Sequence, residues 1–384
     1  MNETIYMPVG EVCSSISDTY REKKNMVTLI NTSDVLEGRV LNHERVPNSN
    51  LKGQFKKTFQ RDDILYSEIR PQNRRFAYVD FSPIDYIAST KLMVIRAKKD
   101  VVSPKYLYYF LKNSSTVAEL QLLAETRSGT FPQITFSEVA NLTIPVPPLA
   151  VQEVIVQTMQ CLEDKTICNE QINDNLQQQA VALFSSLYDR SNTEVRYTDL
   201  IQILGGGTPK TGEITYWNGN IAFFTPKDVG TPYTLITEKT ITEEGLSHCN
   251  SRLYPVNTVF VTARGTVGKV GMSGVPMAMN QSCYALVGKE IHQLLVYFYT
   301  LKAVDRLKHK ASGAVFDAIT TRDFESEQIR KLSDDDAKSF LCIAEPMFQK
   351  VLNNSIENLR LSILRDSLLP KLMSGEIDVS AVQL

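Results

Sequence analysis

The chain is built twice, and this duplication restricts its architecture more than any other feature. A helix-forming stretch at residues 149–188 has a counterpart at 334–372. Displaced by 185 residues, Ile155 falls on Phe340, Leu162 on Met347, Asn169 on Asn354, Leu176 on Leu361 and Leu183 on Leu368. These positions lie seven apart, the spacing of one seam of a coiled coil. The middle position is Asn in both copies. A polar seam residue gives up stability and fixes register and partner, so two asparagines at the same height predict two facing side chains on two facing helices. The second seam is more mixed. Met159, Thr166, Asn173, Ala180 and Leu187 stand against Ala344, Val351, Asn358, Arg365 and Leu372, which suits a helix pair that also offers a face to another protein. The alternative is two amphipathic helices, each packed on its own domain.

The repeat extends upstream of both helices. "RSGTFPQIT" (127–135) resembles "ASGAVFDAIT" (311–320), "DDILYSEIRP" (62–71) resembles "VNTVFVTARG" (256–265), and "PKYLYYFLKN" (104–113) resembles "IHQLLVYFYTLKA" (291–303). The order is therefore globule, helix, globule, helix. Residues 1–148 form the first globule and 149–188 the first helix, 189–197 ("DRSNTEVRY") a polar linker, 198–333 the second globule, 334–373 the second helix and 374–384 a tail. The prolines of "IPVPPLAVQEVI" close the first globule, because proline donates no N–H and forces an extended chain. "IRKLSDDDAKSF" stands in their place in the second half, where Ser333 or Asp334 is expected to cap the helix. At 1.5 Å per residue a helix of about 37 residues measures roughly 55 Å, and a pair of such helices acts as a ruler between two similar globules.

Within each globule short β-rich runs alternate with turns. "MVTLINTSDV", "DILYSEI", "FAYVDF" and "KLMVIRA" read as strands in the first; "NIAFFTPKDV", "NTVFVTA", "VGKVGMSG" and "SCYALVG" do in the second. One helix follows in each. The expected class is α+β, a curled, mainly antiparallel sheet with a few helices.

Net charge is −2 with a pI near 6.2, so a nucleic-acid surface has to be local. One candidate is the stretch holding Lys52, Lys56, Lys57, Arg61, Arg70, Arg74 and Arg75, opposed only by Asp62, Asp63 and Glu68. "IRPQNRRF" places Arg70, Gln72, Asn73, Arg74 and Arg75 in one loop between strands. Arg reads guanine, and Asn or Gln reads adenine, by paired hydrogen bonds in the major groove; a solvated hairpin loop is the alternative. At the repeat-related place "TARGTVGK" supplies Arg264, Thr266 and Lys269. The loop "LGGGTPKTGEITYWNG" adds Lys210. Its glycines permit close backbone approach to a ligand, or simply form a turn before a strand.

Several chemistries lack their motifs. Neither glycine-rich loop has phosphate-loop spacing, no GxGxxG follows a strand, and no HExxH or GxSxG occurs. "VPPL" (146–149) lacks both the polar first residue and the aromatic last residue of the Asp/Asn-Pro-Pro-aromatic motif of amino methyltransferases. The six cysteines form no CxxC pair, which argues against zinc and against a disulfide framework. No apolar run is long enough to span a bilayer and the start has no secretory pattern, so a cytoplasmic location is expected. A nuclease site assembled from scattered carboxylates stays open as a rival, as does a scaffold that binds proteins without reading DNA.

"IPVPPLAVQEVI" with its helix, "GGGTPKTGEITYWNGNIAFFTPKDV", "TARGTVGKVG" and "LLPKLMSGEIDV" occur in this order within the duplicated layout. Together they resemble the specificity subunits of type I restriction–modification systems across nearly the whole chain. The resemblance implies two target recognition domains joined by two antiparallel helices, each domain reading one half of a split, asymmetric double-stranded DNA site. It implies no catalysis, cofactor or metal in this chain. Two methyltransferase subunits would bring S-adenosylmethionine for adenine N6 methylation, and restriction subunits would bring ATP and magnesium. The base-reading residues vary within this family, so Arg70, Arg74, Arg75, Lys210, Arg264 and Lys269 rest on loop position and charge.

Overall fold

A computed structural model describes residues 4–49, 53–127, 129–230, 232–310 and 318–379. Lys52, Ser128 and most of the repeat "ASGAVFDAIT" lie outside the described residues. The chain divides into two compact units: residues up to Lys165 together with those from Arg360 onward, and Thr166–Leu359. Each unit is therefore one head plus a segment of both long helices.

In the first unit, Cys13–Ile16 pairs antiparallel with Leu92–Ala97, which pairs with Ile64–Ser67, which pairs with Phe76–Tyr78. The second unit repeats this order with Ile201–Gly205, Cys283–Gly288, Val259–Thr262 and Val270–Ser273. A second sheet is also duplicated. Met26–Ile30 runs parallel to Tyr86–Ser89 and antiparallel to Val46–Pro47; Trp217–Phe224 runs parallel to Met277–Met279 and antiparallel to Lys239–Ile241. These parallel pairs sit within a mainly antiparallel arrangement, as expected: their strands are separated by connections long enough for the chain to return in the same direction. Each head is closed by pairing its first strand with the strand that precedes its long helix, Ile5–Pro8 with Thr143–Val146 and Glu194–Arg196 with Gln328–Arg330.

The first long helix, Leu149–Arg190, has 42 residues and so measures about 63 Å. Gln152, fully buried, ties its start to the first head. Its Oε1 accepts from the Ser103 N–H at 2.8 Å, and its Nε2 donates to the carbonyls of Pro147 at 2.8 Å and Val101 at 3.1 Å. The glutamine of "IPVPPLAVQEVI" thus satisfies backbone groups that burial would otherwise orphan. The second long helix, Asp334–Ser374, is capped by Ser333, whose Oγ accepts from the Asp336 N–H at 3.1 Å. It runs through Pro346 and Pro370, each of which lacks an N–H to donate within the helix. It ends at Gly375, whose φ of +79° suits a helix C-terminus. The chain then turns back and buries Val379 in the first core, which accounts for "LLPKLMSGEIDV".

The seams pair, but across rather than at equal height. In the first unit Ile155, Met159 and Leu162 pack with Leu368, Leu369, Leu372 and Met373. In the second, Leu176, Ala180 and Leu183 join Phe340, Ala344, Met347 and Val351. Asn169 does not meet Asn354. Asn354 Nδ2 donates to Asn173 Oδ1 at 2.8 Å, and Asn169 Nδ2 donates to Asn358 Oδ1, also at 2.8 Å. Antiparallel direction is the reason: a step of four residues along one helix is a step of four back along its partner, so first-seam positions face second-seam positions. The two bonds exchange under the displacement that relates the repeats, which places a local pseudo-twofold between them.

Candidate nucleic-acid interface

Two loops occupy the same place in the duplicated frame. Residues 68–75 follow Ile64–Ser67 and residues 263–269 follow Val259–Thr262. The first is closed by Ser67 N–H to Arg75 O at 2.8 Å and the second by Thr262 N–H to Lys269 O at 3.0 Å. Both are held from the side. Glu68 N–H donates to Lys91 O at 3.0 Å and Ala263 N–H to Ser282 O at 2.8 Å; Ile134 N–H reaches Glu68 O and Ile319 N–H reaches Ala263 O, each at 2.9 Å.

These registers move the sequence match by one residue. Ile64 corresponds to Val259, so Arg70 stands at the place of Gly265 and not of Arg264. Backbone conformation agrees: φ is +45° at Arg70 and +81° at Gly265, and +51° at Arg74 and +74° at Gly268. The first loop therefore holds arginine twice in the left-handed region that its twin assigns to glycine. Such a conformation costs a side chain on the order of 1–3 kcal/mol.

The arginines differ in what offsets that cost. Arg74 is half-buried and its Nη2 donates to Ser114 Oγ at 2.8 Å. Arg75 is half-buried too, donating from Nη1 to Ser33 O at 2.9 Å. Both tie the loop to its own domain. Arg70 is exposed, and among the described residues its guanidinium has no hydrogen bond or ion pair. Gln72 and Asn73 are exposed beside it in the one-turn helix Pro71–Asn73, and the Gln72 N–H is fixed on Gln121 Oε1 at 3.1 Å.

In the second unit Lys210, Arg264, Thr266 and Lys269 are all exposed. The Thr266 hydroxyl donates to Pro226 O at 3.1 Å. The structure brings Lys210 and Arg264 into one neighbourhood: the Thr208 hydroxyl bonds Gln281, and the next residue, Ser282, accepts from the Arg264 N–H at 3.3 Å. A further cation, Lys308, went unseen in the sequence. It lies over Gly268, where an added Cβ would meet its Cε at 2.6 Å. A glycine in the loop, together with lysines late in the helical run that follows it, is the only sequence signal for it. The close approaches of Gly206 and Gly207 are to the chain itself, at the Asn280 carbonyl and the Asn250 N–H, so these glycines serve the turn.

No group of potential metal ligands occurs among the described residues, and no helix there is long and apolar enough to cross a membrane. The two buried thiols, Cys13 and Cys283, are both pushed up to about 12 by burial, which leaves them poor nucleophiles.

The sequence matches the family described as "Type I restriction modification DNA specificity domain" twice, over residues 6–178 and 190–330. It is 30% identical to the type I restriction enzyme HindI specificity subunit of Haemophilus influenzae, over 91% of this chain and 94% of that one. It is 28% identical to the EcoR124I/EcoR124II specificity subunit of Escherichia coli, over 62% of this chain and 59% of the other. The fold is similar to that of the S subunit of a type I restriction–modification system from M. genitalium, with a TM-score of 0.56 over 97% of this chain and 96% of that one at 14% identity. With both halves matched, each over a head built on the same strand order, this chain belongs to the type I restriction–modification DNA specificity family.

Proposed function

We propose that this chain reads a split, asymmetric double-stranded DNA site on behalf of a type I restriction–modification complex. The first head reads one half-site through the Arg70 loop, and the second reads the other through the Arg264 loop with Lys210. The observation that carries this is Arg70, held in a costly left-handed conformation with its guanidinium exposed and unpaired. No hydrogen bond or ion pair of that side chain among the described residues offsets the cost, whereas guanine O6 and N7 would, by accepting two parallel hydrogen bonds. Gln72 and Asn73 are placed to read a neighbouring adenine, and the lysines meet phosphates. The length of the long helices sets the number of untouched base pairs between the half-sites.

The partners in this reading are two methyltransferase subunits, which bring S-adenosylmethionine and draw the target adenine out of the stack to methylate N6, and restriction subunits, which use ATP and magnesium. This chain supplies address and scaffold, not chemistry. The test is a map of methylated adenines in cells expressing the chain with its methyltransferase. Wild type marks one split motif. Arg70→Gln relaxes or changes one base of a single half-site, at a discrimination cost of about 1–3 kcal/mol, and leaves the other half-site alone. An unaltered motif in the variant removes Arg70 from readout.

A further inference from the structure

We propose that the connector at residues 17–25 is a DNA-backbone contact of the first head, in which Arg21, Lys23 and Lys24 meet phosphodiesters beside the bases read by the Arg70 loop. The proposal rests on the reading above and adds an element to it.

Charge is the first ground. Three of the four residues 21–24 are cationic, and against the two acidic residues of the connector, Asp18 and Glu22, they leave it net positive in a chain whose net charge is −2. All three side chains are exposed, and among the described residues none has an ion pair. The connector is also held in place. Thr19 bridges to Lys57, Tyr20 N–H donates to Lys56 O at 2.8 Å, and the Tyr20 hydroxyl donates to Asp85 Oδ1 at 3.1 Å. At the other end Asn48 donates from its backbone to Asn25 O at 2.8 Å and from Nδ2 to Lys24 O at 2.9 Å. Cations on a fixed support lose little freedom when they meet an anion.

Position is the second ground. Lys57, which bridges to Thr19, donates from Nζ to Thr90 O at 3.0 Å and to Leu92 O at 2.8 Å. Between those residues stands Lys91, whose carbonyl accepts from Glu68, the first residue of the Arg70 loop. The root of the connector and the root of that loop thus share one turn.

The duplication is the third and independent ground. The connector joins the strands Cys13–Ile16 and Met26–Ile30. In the second head the same two strands, Ile201–Gly205 and Trp217–Phe224, are joined by residues 206–216, which carry exposed Lys210 and lie beside the Arg264 loop. The frame therefore sets a connector with an exposed cation next to the corresponding loop in both heads.

The experiment uses the full chain purified with its methyltransferase partner and a duplex bearing the mapped site, with affinity measured against KCl. Each phosphate contact contributes about 0.9 to the slope of log K against log[KCl]. The triple variant Arg21→Gln, Lys23→Gln, Lys24→Gln is expected to flatten the slope by about 2.7, so that the wild-type advantage is about 40-fold larger at 50 mM than at 200 mM salt. Its methylation motif stays as in wild type. Neutral methylphosphonates at single positions flanking the first half-site should weaken wild type and leave the variant unaffected. An unchanged slope overturns the proposal. So does a variant that sheds its methyltransferase while keeping the slope, since that assigns the cations to a protein contact. A wild-type complex with no site preference would instead defeat the underlying reading, before any variant is compared.

Discussion

The asparagine layer of the helix pair can be dissected by a double-mutant cycle, because geometry separates the pairs that touch from the pair that equal height would match. Asn354 and Asn173 are buried, with 1% and 8% of their surface exposed, and share a 2.8 Å hydrogen bond. Asn354→Ala leaves the Asn173 Oδ1 without its donor in a closed interface, which costs about 1–3 kcal/mol. Part of this is returned, because Asn354 Oδ1 itself has no partner among the described residues and is removed with it. A net loss of about 1–2 kcal/mol is expected for the single change. Asn173→Ala should cost a similar amount, and the double variant should cost less than the two together, with a coupling of about 1–2 kcal/mol, as for residues in contact. Asn169→Ala with Asn354→Ala should combine with a coupling below about 0.5 kcal/mol. Trp217 is the only tryptophan and belongs to the same unit as all four asparagines, so urea unfolding followed by its fluorescence reports the relevant transition. Coupling between Asn169 and Asn354 as large as that between Asn173 and Asn354 would refute the crossed pairing.

Two further outcomes follow from burial. Lys112 pairs with Glu163 of the first long helix, and its ammonium sits over the rings of Tyr108 at 4.7 Å and Tyr109 at 4.5 Å. Burial pushes Lys112 below its usual pKa, against the opposing pull of Glu163. Glu163→Gln should therefore destabilise the first unit by about 2–4 kcal/mol, and adding Lys112→Met should recover most of the loss; scanning calorimetry should show this in a transition that Trp217 fluorescence does not follow. Thiol labelling of the native chain should reach exposed Cys161, Cys168 and Cys342 at once and spare buried Cys13 and Cys283 until unfolding. Early labelling of Cys13 or Cys283 would contradict the packing of the heads.

The seams were legible because a seven-residue apolar period survives whatever direction the partner takes. The pairing of asparagines was not, since direction decides which seam faces which. The loop at Arg70 was legible as polar residues between β-rich runs. That Arg74 and Arg75 turn inward depends on Ser114 and Ser33, which are remote in sequence and unmarked as partners. Matching Arg70 to Arg264 followed residue identity, whereas the fold follows backbone conformation, for which Gly265 and Gly268 were the true guide. The helix Ser114–Arg127 was missed because its apolar residues form no clean stripe, and the cationic connector because a short charged turn looks the same whether or not something binds it.

The two heads share strand order, closing strands and loop frame, and both bury apolar residues of the long helices, but the contacts added to that packing differ. The first uses polar anchors, the three hydrogen bonds of Gln152 and the Lys112–Glu163 pair, where Tyr109 also donates to Glu163 Oε2 at 2.9 Å. The second adds a ring cluster: Phe184 stacks on Phe298 at 5.0 Å, and Phe298 meets Phe340 at 5.0 Å and Phe348 at 5.5 Å edge-on. Polar anchors demand fixed geometry and fail when one partner is changed, whereas aromatic packing tolerates small shifts at modest cost. A head transplanted onto the other helix segment would place Lys112 against Phe348, the repeat counterpart of Glu163, and bury an unpaired charge. The Arg70 and Arg264 loops are held by hydrogen bonds within their own heads, Glu68 N–H to Lys91 O and Ala263 N–H to Ser282 O, so their exposed side chains can differ without touching the helix contacts. Under the proposed function, two heads with unlike loops would read two different half-sites, which is what an asymmetric split site requires.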